Sequence, residues 1–185
     1  MDDATRPTAA NRKDRTVLSS ERVGMTSPKR SKFVTIHRLL DIAQFQQFRA
    51  LQVAYEERLP PDLRHSLPDS ADLELLYAEP NAAFLGRIGN EAAGCVALVT
   101  LGKSEAVVQR LYVDPAFRKA GVARALVEAA LDFSRERRRL RVVLDTDRER
   151  LTAAYLLYKS LGFKECAPYG PVDYACPTFM ELRLS

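Results

Sequence analysis

Residues 110–131, "RLYVDPAFRKAGVARALVEAAL", decide the fold. Extended upstream to "AVVQRLYV" (106–113), the stretch begins as a β-branched strand, and Asp114-Pro115 ends it. From Gly121 to Arg138 the period becomes helical, with Val122, Leu126, Ala129 and Phe133 on one face. Between the two lie Arg118 and Lys119, cations at the mouth of a helix. Unpaired backbone N–H groups already make a helix start partially positive. Cations there are unfavourable unless an anion sits among them. Gly121 lets the backbone approach a ligand and turn into the helix, so a diphosphate on the N–H groups near 119–123 fits the pattern. On these residues alone, a plain strand–loop–helix junction with solvated cations fits as well. The stretch is neither a Walker loop nor a dinucleotide fingerprint, because G-x-x-x-x-G-K-S/T and G-x-G-x-x-G are both absent.

Working outward, "FVTIHRL" (33–39) reads as a strand. Asp41 opens a helix with a loose stripe of Ile42, Phe45, Leu51, Tyr55 and Leu59. "PPDLRHSLPDS" (60–70) is a loop, and "ADLELLYAEP" (71–80) is a short helix ended by Pro80. "AAFLGRIG" and "AAGCVALVTLG" form a hairpin around "NEA". "LRVVLDT" (140–146) is an apolar strand buried on both faces. "RERLTAAYLLYKSLGF" is a helix to about Leu161, stopped by Gly162. "FKECAP" and "TFMELRL" close the sheet. This order predicts a mixed α/β sheet with helices on both faces.

The chain's 185 residues suit one domain with a real core. Residues 1–30 are polar and read as a disordered tail before a domain over 31–185, and Met25 opens a second candidate start. The tail carries seven Lys/Arg and four Asp/Glu, so +3 of the net +4 belongs to it and +1 to the rest. A nearly neutral domain argues against nucleic-acid binding. No apolar run approaches the ~20 residues of a membrane span, and no signal peptide is evident, so a cytoplasmic location is expected. Three scattered cysteines (Cys95, Cys166, Cys176) and two histidines give no disulfide framework and no metal centre. Cys166 and Cys176 read as small strand residues rather than nucleophiles. The arginines of "RERRRLR" (135–141) sit at a helix end, where cations suit the dipole.

Two segments together resemble the GNAT superfamily of acetyl-CoA-dependent N-acyltransferases. Arg118, Gly121 and Ala123 fill the family's R/Q-x-x-G-x-G/A at a strand-to-helix junction. Ala154, Tyr158, Gly162 and Phe163 fill its A-x-x-x-Y-x-x-x-G-F, with the strand "LRVVLDT" between the motifs as in the family. The resemblance implies a GNAT-like, mostly antiparallel central sheet. It implies that the strand before the loop splays from its neighbour, so that Leu111, Tyr112 and Val113 pair with pantetheine. It also implies that Arg118, Lys119, Ala120, Gly121, Val122 and Ala123 hold the pyrophosphate, with Ala154 and Tyr158 beside the cofactor and no metal. Tyr158 takes the place of the family's general acid, since a phenol with pKa about 10 can return a proton to a leaving thiolate. Tyr158 as a packing residue between helix and sheet is the competing reading. Tyr155, one turn earlier, reads as core.

One departure concerns the base. Relatives reading "E-L-K-R-L-Y-V" place a Glu three residues before the Arg, and Val107 occupies that position here. Glu105, on the same strand face if no bulge intervenes, is a substitute catalytic carboxylate, or simply an edge charge. His65, Asp173 and Tyr169 are further candidates. The expected function is acetyl transfer from acetyl-CoA to a primary amine of a small molecule or peptide, by direct attack in a ternary complex. No nucleic-acid or membrane partner is expected, and a homodimer is possible on general grounds. Two rivals stand beside it. One is a catalytically inactive acetyl-CoA-binding sensor or interaction domain, favoured by the missing Glu. The other is a protein-directed acyltransferase recruited through the basic tail.

Overall fold

A computed structural model describes residues 33–184. The expectations for the tail over 1–30 and for Met25 lie outside the described residues. In chain order the elements are β1 (Val34–Arg38), α1 (Ile42–Glu56), α2 (Ser70–Leu76), β2 (Ala82–Ile88), β3 (Glu91–Leu101) and β4 (Glu105–Val113). They continue with α3 (Val122–Glu136), β5 (Arg141–Thr146), α4 (Thr152–Ser160), β6 (Lys164–Glu165) and β7 (Thr178–Arg183). The strands form one seven-stranded sheet in the order β1-β2-β3-β4-β5-β7-β6. Every pairing is antiparallel except β4 with β5.

Two cores form on opposite sides of this sheet. Alternate residues of β2 and β3 divide between them: Phe84, Val96 and Leu98 pack under α3, with Val122, Leu126 and Phe133. Leu85, Cys95 and Ala97 pack under α1 and α2, with Phe45, Phe48, Leu73 and Tyr77. In β4 this alternation changes phase. Ala106 and Val108 belong to the α3 core, yet Tyr112 belongs to the α1 core and Leu111 and Val113 lean on the α3 side. The cause is a bulge: Cys95 faces Tyr112 while Ala97 faces Gln109, so β4 holds one residue more than β3 over this span. Arg110, at φ +60°, absorbs it. One inserted residue flips every side chain beyond it to the other face.

Gly94 on β3 lies against this bulged stretch. A Cβ there would stand 2.6 Å from the Tyr112 carbonyl oxygen and 3.2 Å from the Val113 Cα. Backbone cannot give way as a side-chain tip can. Gly94→Ala is therefore expected to cost about 2 kcal/mol, read as a lowered denaturant midpoint at unchanged m-value.

Several elements differ from the sequence expectation in informative ways. α1 begins where expected, with the Asp41 carboxylate accepting the Gln44 N–H at 2.9 Å. Its inner face is different, because Ile42 is 42% exposed while Phe48, Gln52 and Glu56 are buried. α2 is capped by Asp69 and ends at Leu76, four residues before Pro80. α4 starts four residues later than its pattern suggests, because Asp147 ties the preceding turn to itself. Its carboxylate accepts the N–H groups of Glu149 (3.0 Å) and Arg150 (2.9 Å), an alternative to helix that a short acidic side chain offers. Gly162, at φ +93°, closes α4 as expected. The "FKECAP" strand shrinks to Lys164–Glu165.

Candidate functional site

β4 and β5 pair only at Glu105–Arg141, Ala106–Val142 and Val107–Val143. Beyond Val107 the two parallel strands part. The β4 edge from Val108 to Val113 then has no ladder partner on that side, and its backbone polar groups must be satisfied from elsewhere. A cleft of about 850 Å³ opens here between β4, the start of α3 and the length of α4, within the size range of small-ligand sites. Leu111, Tyr112, Val113, Arg118, Lys119, Gly121, Val122, Ala123, Ala154 and Tyr158 all line it. Ala120 does not.

The loop at the cleft's cationic end is built for close approach. The Asp114 carboxylate accepts the Ala116 N–H at 2.8 Å and turns the chain after β4. Lys119 (φ +65°) and Gly121 (φ +83°) then place two left-handed residues just before α3. A Cβ on Gly121 would meet nothing within 4 Å. The open space above it and the orphan N–H groups of the first turn lie at the end of the cleft that Arg118, Lys119 and Arg124 also line. The chemistry of this donor set fits a diphosphate.

Tyr158 is 6% exposed, its ring packed on Phe163 with centroids 5.8 Å apart. Its hydroxyl has no hydrogen-bond partner among the described residues. Burial, with smaller contributions from Tyr55 and Asp145, pushes its phenol well above the ordinary range. Tyr155 instead donates to Glu165 at 2.7 Å.

A second cavity of about 360 Å³ continues from the cleft, sharing Tyr55, Arg110, Asp145, Thr146 and Leu151 with it. His65, Tyr169 and Asp173 line its wall, as does Val107. Glu105 is not brought to either cavity. It sits at the start of β4, held by Arg141 at 2.9 Å, and Arg141 also pairs with Glu181 at 2.8 Å. No bulge separates Glu105 from Val107, so they do share a strand face. The ion pair at the closed end of the β4–β5 junction explains the charge.

Sequence reading missed the floor of this site. Gln52, fully buried, donates to the Arg110 carbonyl at 3.0 Å and fixes the bulge from beneath. Glu56 accepts from the Arg110 guanidinium at 2.6 Å and from the His65 N–H at 2.8 Å. Both polar residues follow the apolar stripe of α1 at helical spacing, the one signal available. Asp145 was missed too, although an acid at the open end of a buried strand was a visible anomaly. Four of the five arginines of 135–141 are tied down rather than gathered. Arg135 meets Asp132, Arg137 meets Glu79, Arg139 meets Thr100 and Arg141 meets two glutamates.

The sequence profile of the Acetyltransferase (GNAT) family matches residues 44–163, from α1 through the end of α4. The chain belongs to the GNAT acetyltransferase family. The GNAT match spans the splayed strands, the loop before α3 and the Tyr158 helix alike. Among curated relatives, N-acetyltransferase 8 of Homo sapiens is 39% identical over 66 residues, covering 36% of this chain and 29% of that protein. N-acetylaspartate synthetase of Danio rerio is 31% identical over 112 residues, covering 59% of this chain and 39% of that one. The chain thus matches well under half the length of each. A Salmonella typhimurium structure, described with its cofactor acetyl-CoA, superposes with a TM-score of 0.67 at 18% identity, covering 82% of this chain and 94% of that one. At that identity the likeness is one of fold. Among the described residues, no helix is long and apolar enough to cross a membrane and no cluster of His, Cys, Asp and Glu could hold a metal.

Asp147 joins the two cavities by holding Arg150, whose Nε lies 2.5 Å from its carboxylate and whose Nη1 reaches Asp62 at 2.7 Å. The Arg150 and Glu149 N–H groups and the Arg150 guanidinium hold the Asp147 carboxyl below its ordinary range, against burial. A depressed folded-state pKa gives stability that is present above the unfolded value of about 3.9 and lost as pH falls through the lower folded value. Asp147→Ala is expected to cost about 1 kcal/mol at pH 7. The deficit should shrink in acid over that window, as denaturant unfolding at stepped pH would show.

Proposed function

We propose that this protein transfers an acetyl group from acetyl-CoA to a primary amine by direct attack in a ternary complex. The observation that carries the proposal is one continuous path. The cationic helix start leads along the unpaired β4 edge, past the Tyr158 hydroxyl, into a second cavity of separate chemistry. The name N-acetyltransferase among the relatives supports the same reading. Arg118, Lys119 and the N–H groups from 119 to 123 hold the diphosphate. Leu111, Tyr112 and Val113 offer backbone groups to the pantetheine arm. Backbone N–H groups of β4 near the bulge polarise the thioester carbonyl. The neutral amine attacks that carbon, a C–N bond forms, the C–S bond breaks, and the Tyr158 hydroxyl gives its proton to the departing sulfur. The amine's own proton leaves through groups or water of the second cavity, where His65 and Asp173 lie.

The test is calorimetric binding of acetyl-CoA, followed by free-thiol release with a panel of primary amines. Micromolar binding with amine-dependent thiol release is expected. Binding without turnover on any amine would leave the sensor reading, for which Val107 at the family's Glu position is the argument. No binding by the folded protein would overturn both.

A further inference from the structure

Asp145, next to last in β5, lies at the junction of the two cavities. The Tyr169 and Tyr174 hydroxyls each donate to one of its oxygens, Oδ1 and Oδ2, the second at 2.8 Å. Both tyrosines come from the segment between β6 and β7, so the clasp fixes that segment over the second cavity. Burial, together with the Asp145 charge and hydrogen bonds, pushes both phenols far up, so they act as donors and not as bases.

The charges of the cavity wall do not cancel at Asp145. Arg110 is already paired with Glu56 at 2.6 Å, and Asp147 with Arg150. Asp173 is exposed, and His65 is the wall's histidine. Asp145 forms no ion pair among the described residues; its partners are two neutral hydroxyls. Around it, Tyr55, Tyr169 and Tyr174 line the same 360 Å³. A carboxylate ringed by tyrosine hydroxyls is a receptor for a cation, through its charge and through the oxygen lone pairs around it.

We infer that the acceptor carries a second, cationic group, and that Asp145 with its tyrosines holds that group in its charged form while a different nitrogen is acetylated. The inference rests on the amine-transfer reading above. Two nitrogens are required because an attacking amine must be neutral, whereas a nitrogen held by a carboxylate is stabilised as a cation. The substrate class is therefore a diamine, polyamine or basic amino-acid-like amine. Asp145 is its specificity residue.

Three probes of matched length separate the possibilities: putrescine, n-butylamine and γ-aminobutyrate, with a cationic, a neutral and an anionic far end. Each is measured for binding by calorimetry in the presence of CoA and for thiol release with acetyl-CoA, in wild type and Asp145→Asn. The asparagine still accepts one tyrosine hydroxyl and can donate to the other, so the clasp keeps its shape. Wild type should bind putrescine about tenfold or more tighter than butylamine and discriminate further against γ-aminobutyrate. The variant should lose that preference, chiefly in KM. Equal binding of the three, no binding of any, or a preference unchanged in the variant overturns the inference. So does an equal fall of kcat for putrescine and butylamine with the preference intact, which would make Asp145 a base. Binding selectivity lost in Asp145→Asn, with no thiol release from any amine, would uphold the cation site and sink the transferase reading instead.

Discussion

Gly121→Glu is expected to weaken acetyl-CoA binding about a hundredfold or more. Two separable causes contribute. At φ +83° any L-residue is strained, which costs roughly 1–2 kcal/mol of fold stability. The carboxylate is a different matter. It reaches into open space at the start of α3, where the first-turn N–H groups, Arg118, Lys119 and Arg124 all favour an anion. The new side chain would compete with a diphosphate bound at that place and repel it. Gly121→Ala introduces the strain without the charge, so it should lose similar stability and keep most of the affinity. Calorimetry on both variants, each checked by thermal melting, separates the two. A folded Gly121→Glu that binds like wild type would show that the diphosphate is held elsewhere.

This prediction was legible in the sequence because its elements are local. A left-handed glycine, a cation pair and an amphipathic helix occupy consecutive residues, and their periods are those of isolated strands and helices. The sheet with helices on both faces followed from the same signals. What was not legible depends on pairing across the sheet. The bulge at Arg110 exists only relative to Cys95 and Ala97 on β3. Nothing in "AVVQRLYV" announces that its face alternation breaks. Glu105 is the case in point: its face was inferred correctly, but the Arg141 guanidinium that claims it comes from a strand thirty-six residues away. The Asp145 clasp has the same origin, joining β5 to a segment more than twenty residues on. Buried polar residues such as Gln52 and Glu56 are a third kind of loss. Composition assigns them to solvent, and partners far away in sequence, chiefly the carbonyl and guanidinium of Arg110, give them a reason to be inside.

Tyr158→Phe carries the second large effect: kcat is expected to fall about a hundredfold, at the lower end of what a positioned proton donor contributes. The substitution is unusually clean here. The ring packs on Phe163 and is nearly all buried, and phenylalanine keeps that packing. The hydroxyl has no protein partner among the described residues, so its removal leaves no buried group unsatisfied. Stability and acetyl-CoA affinity should therefore stay near wild type, and the loss should appear in kcat alone. The pH profile gives an independent reading. Burial raises the phenol's pKa, so the donor stays protonated across neutral and mildly alkaline solution. Deprotonation of Tyr158 should then produce no alkaline fall in wild-type kcat until well above about pH 10, the ordinary tyrosine value. The variant's profile over the same range should be parallel and lower. If kcat is unchanged in Tyr158→Phe, the departing thiolate takes its proton from solvent or leaves unprotonated, and Tyr158 is a packing residue between α4 and the sheet.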